Sequence, residues 1–501
     1  MKKKGGLFFS LIFLFASLGC VSAIENCTKY VSTIGVGTSC TEVNPCSLAT
    51  ASGTGVGSAQ PGDVVCLKEG TYYETLASAR SGTVNAKITY KAYPGEECKT
   101  NADGTKYGCQ VKIDGENTRN SVVISKDYIR IEGLDISKGY NSGVTIGGYT
   151  GSEVVNNYIH DNTYLYPDIN QESGWGHAAD QGGIDLRNSD DTLIENNEVY
   201  HNLQNGIIIL GDSILNLRII NNNIHDNIID GIKGGDGDNW IIEDNKIHDH
   251  TNPAPYNFGP WHADSLQLQE GINGLKILNN EFYDATQHIY LVSDTGNTHN
   301  FYNVEIAGNL IYKKDFTFDA KGIFVIMQAP YCGITNNLNV HSNTVSGMYQ
   351  AILIGPNCGQ ITGNVNLRDN IVTDNFVGLG LSPMGAVITS DYNLYHNSVI
   401  SWNGWYDTLS QFKQANPAQE VHSISADPFF ENEANNDYHL KLGSPAIDAG
   451  DLIGISLPSP FLDIDGTLRP QGEGYDIGAY EYISEMPPAQ CVLTRAYWQV
   501  V

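Results

Sequence analysis

The chain has 501 residues, and its 56 aspartate and glutamate residues outweigh 28 lysine and arginine residues for a formal charge of −28 at pH 7. That excess excludes nucleic acid as a partner, because phosphates demand a basic face. It also requires any acidic polymer to meet a local lysine or arginine patch, or bridging cations.

Residues 1–23 read as a secretory signal: Lys2, Lys3 and Lys4 precede an apolar run from Leu7 to Leu18, and Val21-Ser22-Ala23 offers small residues for cleavage. That run is too short and too early to span a bilayer, and no later segment is apolar enough to do so. The expected product is secreted or held at the cell surface, and monomeric. Residues 24–110 are expected to form an N-terminal cap with the first coils, 111–400 the repeats, 401–482 the closing coils, and 483–501 a linker and the start of a further module.

Cysteine usage fits an oxidising compartment. Cys98 and Cys109 flank a turn-rich segment and are expected to pair, while Cys27, Cys40, Cys46 and Cys66 tie down the cap in a connectivity that the sequence leaves open. Cys332 and Cys358 follow equivalent strands of successive coils, which brings them within disulfide reach. Non-reducing peptide mapping of the oxidised protein is expected to find these two joined; two free thiols would refute the pairing.

A short phrase recurs through the middle of the chain: a small residue, an apolar-x-apolar triplet, then Asn-x-apolar. The triplets include Val144-Thr145-Ile146, Ile184-Asp185-Leu186, Ile207-Ile208-Ile209, Leu266-Gln267-Leu268, Ile289-Tyr290-Leu291, Ile323-Phe324-Val325 and Ile352-Leu353-Ile354. Strands this short cannot bury one face alone. Stacked as coils of a parallel β-helix they can, with alternate residues pointing in and out. About ten coils are expected, with almost no helix. Asn157, Asn197, Asn245, Asn280, Asn309, Asn343 and Asn370 recur where one strand turns into the next, and are expected to stack as an amide ladder. His160, His225 and His248 recur beside a turn and are expected to be surface residues rather than metal ligands.

Pro61-Gly62-Asp63-Val64-Val65, Gly70-Thr71-Tyr72-Tyr73-Glu74 and Ile88-Thr89-Tyr90-Lys91-Ala92 resemble the opening of right-handed parallel β-helix proteins of the pectate-lyase-like superfamily, including chondroitinase B-type and alginate lyases. Asp476-Ile477-Gly478-Ala479-Tyr480-Glu481 is similar to the closing segment of many secreted proteins of this type. The resemblance implies an all-β, single-stranded right-handed parallel β-helix. It leaves activity open, because the fold hosts lyases, hydrolases, epimerases and non-enzymes. Asp463-Ile464-Asp465-Gly466 is expected to be a turn that, with Arg469, seals the last coil rather than a calcium loop.

Aligning the triplets puts Thr145, Asp185, Ile208, Lys233, Gln267, Tyr290 and Phe324 in one outward column. A second column holds Asn205, Asp230, Asp264, Gln287 and Lys321, and a third holds Arg187, Leu210, Gly235, Gln269 and Val292. Long insertions carrying Trp175, Tyr256, Trp261 and His262 enter the same face. Aromatic walls over a charged floor make a glycan cleft, with Trp175, Trp261, Tyr256, Gln267, Gln269 and Tyr290 as substrate contacts.

Within the resemblance, lyases and epimerases abstract the proton beside a uronate carboxylate, and need a base and a cation to steady the enolate. On these residues Lys233 is the base, His262 the acid or second base, and Arg187 the carboxylate clamp. Asp185, Asp230 and Asp264 orient substrate or hold calcium. Carboxylates flanking Lys233 would raise its pKa and weaken it as a base. A glycoside hydrolase using Asp230 and Asp264, and a non-catalytic glycan-binding or adhesive module, stay open. An extracellular polysaccharide is the partner in each case.

Overall fold

The structure is a computed structural model that describes residues 26–163, 181–250, 263–293, 300–315, 317–327, 333–356, 360–382, 385–458 and 460–484. Among these, strands assemble into one 26-stranded and one 13-stranded sheet, and successive rungs pair in parallel. The larger sheet wraps two faces of a solenoid and the smaller forms the third. Thirteen strands on that third face exceed the ten or so coils read from the repeat. The difference arises because the N-terminal cap is itself solenoid: Lys29–Val31, Val64–Leu67 and Ile88–Ala92 pair rung on rung into Ile129–Glu132. Helix is confined to Leu48–Ser52 and Leu409–Ala415, with a single 3-10 turn at Glu433–Asn435, among the described residues.

The inward side chains explain the stacking. Val122, Val144, Ile184, Ile207, Ile232, Leu266, Ile289, Ile323 and Ile352 follow one another in register on the first face, each at most 2% exposed. β-branched side chains are stiff and pack well against identical neighbours on a pleated surface. Each such side chain contributes about 1.5–3 kcal/mol on burial, set against the entropy of ordering the strand.

Corners are turned by residues held in the left-handed region. Asn156, Asn196, Asn221, Asp244 and Asn279 have φ between 51° and 60°, a conformation that Asn and Asp tolerate better than other side chains. The next residue in each coil belongs to the amide ladder. Asn157, Asn197, Asn222, Asn245, Asn280, Asn309, Asn343, Asn370 and Asn393 are almost wholly buried, and each amide Nδ2 through Asn370 donates to the next ladder oxygen at 2.9–3.1 Å. The predicted ladder is present, and it also includes Asn222 and Asn393. A second ladder at the following corner, Asn162, Asn202 and Asn227, ends where His250 takes the position.

Three disulfides fix the N-terminal region: Cys27–Cys66, Cys40–Cys46 and the expected Cys98–Cys109. The last closes a hairpin, Lys99–Thr100 against Lys106–Tyr107, that lies across the outer side of the third face, where the Lys106 amide donates to the Glu198 carboxylate. Cys332 and Cys358 lie outside the described residues.

On the same side His160, Tyr200, His225, His248, Tyr283 and Tyr312 form a ring column, with centroids 4.4–5.4 Å apart. The recurring histidines thus sit within a stacked column, side by side with tyrosines. Burial pushes His160 down, but Asp135 and Asp161 outweigh it and hold it up at about 9. Burial acts likewise on His225, where Asp226 and Glu198 prevail and again hold it at about 9. Both folded values lie above the ordinary 6.5, so the stabilisation is full below pH ~6.5 and is lost as pH rises through 9. Melting temperature is therefore expected to fall between pH 7 and pH 10, and His160→Gln with His225→Gln should flatten that slope.

The C-terminal segment corrects an expectation. Arg469 is buried, donates to the Asp476 and Gly478 carbonyls and pairs with Glu481, while Asp463 caps the predicted turn by accepting from the Asp465 and Thr467 amides. This unit does not seal the last coil. It runs back along the outer side of the third face, where Ala479 donates to Thr344 and Gly478 and Asp451 donate to Asp369. The reason is apolar: the outward residues there, Leu310, Ile371 and Leu394, need cover, and Ile477 and Ala479 join them in one cluster.

Candidate functional site

The first face positions the site. Strands Gly182–Arg187, Asn205–Leu210, Ile232–Asp238, Asp264–Asn273, Gln287–Ser293 and Lys321–Met327 carry its outward columns. Register aligns Thr145, Asp185, Ile208, Lys233, Gln267, Tyr290 and Phe324 as read from the repeat. It also aligns Gly182 with Asn205, and Asp264 with Gln287 and Lys321.

Lys233 stands outward and half-buried between Ile208 and Gln267, and makes no hydrogen bond or ion pair with a described residue. The flanking carboxylates foreseen as raising its pKa are not in contact with it. Asp185 is 4% exposed and accepts from Arg187 Nε at 2.8 Å and Nη2 at 2.9 Å. Arg187 is 44% exposed at its side chain.

Asp230 and Asp264 occupy neighbouring rungs, 1% and 0% exposed. The Asn205 side chain accepts the Asp230 amide, and Asp230 Oδ1 accepts the Asp264 amide at 2.9 Å. One Asp230 oxygen therefore continues a backbone-capping ladder instead of facing a ligand. Lys321 is the cation of this column: burial pushes its ammonium below the usual range against the opposing pull of Asp264 and Asp319, and Nζ lies 4.9 Å from the Phe324 ring centroid. Sequence reasoning placed Lys321 in the column without giving it a role. A cation following acids and amides in one register was the available signal.

Behind the column, Ser265 Oγ meets His288 Nδ1 at 3.1 Å, both fully buried. Burial lowers His288 and His250 to about 3, so both are neutral. Sequence reasoning missed this pair because the triplet template assigns inward positions to aliphatic side chains.

Several expectations are corrected. Asp185, Asp230 and Asp264 do not converge as calcium ligands. Asp185 lies in another column and is committed to Arg187, and no group of three or more His, Cys, Asp or Glu side chains among the described residues gathers to hold a metal. Gln269 does not pair in the third column: Gly235 pairs with Glu270, and the register shifts by a β-bulge after Gly234. The Cβ of any other residue at Gly235 would sit 2.4 Å from the Glu270 nitrogen, so the close approach demands glycine. Tyr290 is 7% exposed and stacks on Phe324, packed with Val292 and Ile326, so it is cluster interior rather than an open platform. Gln267 is 8% exposed. Trp175, Tyr256, Trp261 and His262 lie outside the described residues. No helix among the described residues is long and apolar enough to cross a membrane.

No curated protein is significantly similar to the chain in sequence. Among solved structures, the fold is similar to that of pectate lyase Pel9A, with TM-score 0.50 and 14% identity over 91% of this chain and 98% of that one. It is also similar to XylC in its complex with xylose, with TM-score 0.47 and 12% identity over 80% of this chain and 87% of that one. An alginate lyase from Paenibacillus sp. str. FPU-7 gives TM-score 0.38 and 16% identity over 74% of this chain and 98% of that one. At these identities the likeness is one of fold. The family described as "Right handed beta helix region" matches residues 108–254 and 205–399, together more than half of the 501 residues. On that match and on the stacked parallel rungs, the chain belongs to the right-handed β-helix family.

Proposed function

We propose that this is a secreted, polysaccharide-active β-helix protein that acts as a lyase or epimerase on a uronate-containing glycan. The observation that carries the reading is Lys233: a half-buried ammonium on the outward face with no ion partner among the described residues. An amine on the open face, not held by a carboxylate, is the group placed to meet the proton beside a uronate carboxylate. Arg187, oriented by Asp185, is the carboxylate clamp in this scheme, its planar guanidinium matching a substrate carboxylate. His262 serves as acid or second base in this scheme. The three disulfides suit an extracellular setting. A pectate lyase shares the fold, which makes polyuronates the first substrates to test.

The experiment is a panel of uronate glycans incubated with the mature protein, with and without calcium. A new double bond, seen by ultraviolet absorbance, supports the lyase; altered uronate composition without cleavage supports the epimerase. Reducing ends without absorbance would instead favour hydrolysis by Asp230 and Asp264, whose neighbouring rungs stand ~4.8 Å apart. Binding without any turnover would favour the adhesive module.

A further inference from the structure

Aromatic side chains at the corner between the third and first faces line up along the solenoid axis. Tyr349 and Phe376 immediately precede Gln350 and Val377, which pair in register, and the Val377 amide donates to the Tyr349 carbonyl. Their rings stack at 5.1 Å with an interplanar angle of 5°. Phe318, from the preceding coil, meets Tyr349 at 6.0 Å, and Trp405 meets Phe376 at 5.8 Å. Phe318, Phe376 and Trp405 are 79%, 48% and 53% exposed. Among the described residues three of the four exposed phenylalanines and tryptophans stand in this row, while Phe429 and the exposed tyrosines Tyr73, Tyr107 and Tyr302 lie elsewhere. Trp405 Nε1 donates to Asp407 at 2.9 Å, which sets the indole's orientation.

We infer that this row is a stacking track for an extended polysaccharide of uncharged sugars, separate from the Lys233 column. Phe318 and Trp405, turned 68° and 53° from their neighbours, offer ring faces to a sugar at the two ends of the row, the stacked Tyr349 and Phe376 offer edges between them, and a rigid solenoid holds all four in line without ordering cost. Charge selects against uronates. Asp319 adjoins Phe318, Asp374 lies two residues before Phe376, and Asp407 holds Trp405. Of the nearby cations, Lys314 is paired with Asp284 and Lys321 is drawn by Asp264 and Asp319, so the carboxylates outnumber them. A protein partner fits less well: a row of partly exposed rings offers roughly 400 Å² at most, where a stable interface needs about 800 Å² per partner. The inference shares with the proposed function only the polysaccharide class, and implies a glycan or wall matrix with neutral stretches.

Affinity electrophoresis through xylan, mixed-linkage β-glucan, galactomannan and polygalacturonate tests it. The expected result is retardation by at least one neutral polymer, with Kd raised about tenfold by Trp405→Ala and again by Phe376→Ala, and largely preserved by Trp405→Phe. Circular dichroism and melting confirm that each variant is folded; if Trp405→Ala is not, Phe318→Ala carries the same test. Retardation by polygalacturonate alone, none by any neutral polymer, unchanged Kd in the double variant, or a dimer abolished by Trp405→Ala would each overturn the track. Lys233→Ala should leave this binding intact, so failure of the track and failure of the lyase assignment are separable.

Discussion

Lys233→Ala is expected to lower kcat on the processed uronate glycan by ~10²–10⁴-fold, the span by which a positioned general base accelerates proton transfer. KM should change little, because the lost group acts in the transition state. The melting temperature should hold, since an outward side chain with no described partner contributes little to the core. Lys321→Ala is the informative companion. If Lys233→Ala retains activity and Lys321→Ala does not, the base belongs in the column of Asp264 and Gln287, where burial already disfavours the protonated amine. Single-turnover absorbance measurements on both variants separate these outcomes.

Asn280→Ala is expected to destabilise the fold by about 3 kcal/mol, measured by denaturant unfolding. The wild-type side chain accepts from the Asn245 amide and Nδ2, and donates to the Ile242 carbonyl and Asn309 Oδ1. Alanine would leave the two Asn245 donors buried with no acceptor, and an unmade buried hydrogen bond costs more than a made one contributes. Asn280→Asp keeps the acceptor and loses the donors, so it should recover part of the loss if the Asn245 donors dominate.

The inward columns were legible because a period of two leaves no ambiguity about which side of a strand meets the core, and every triplet tested comes out in register. The amide ladder was legible as an asparagine recurring where one strand turns into the next, after Asn, Asp, Gly or Ser alike. Asn393 escaped because Tyr392 holds the left-handed position that Asn or Asp usually fills. The bulge at Gly235 was invisible, since one inserted residue leaves the apolar alternation upstream intact. Tyr290 read as outward with packing and a glycan platform both open, because alternation fixes the direction of a side chain and says nothing of what packs over it. Phe318, Tyr349 and Phe376 went unremarked because they sit at corners, outside the aligned triplets. The turn at Asp463 was read correctly from local chemistry, but the surface it lies on depends on apolar outward residues far earlier in the chain, such as Leu310 and Ile371.

The returning C-terminal segment alters how such a molecule can come apart. In a simple stack each rung touches only the rungs above and below, so it frays from the end one coil at a time. Here, bonds from Gly478, Ala479 and Asp451 reach Asp369 and Thr344, tying the last coils to earlier ones. Terminal rungs cannot open without releasing that strap, so the far end of the solenoid unfolds as a single cooperative block instead of unzipping.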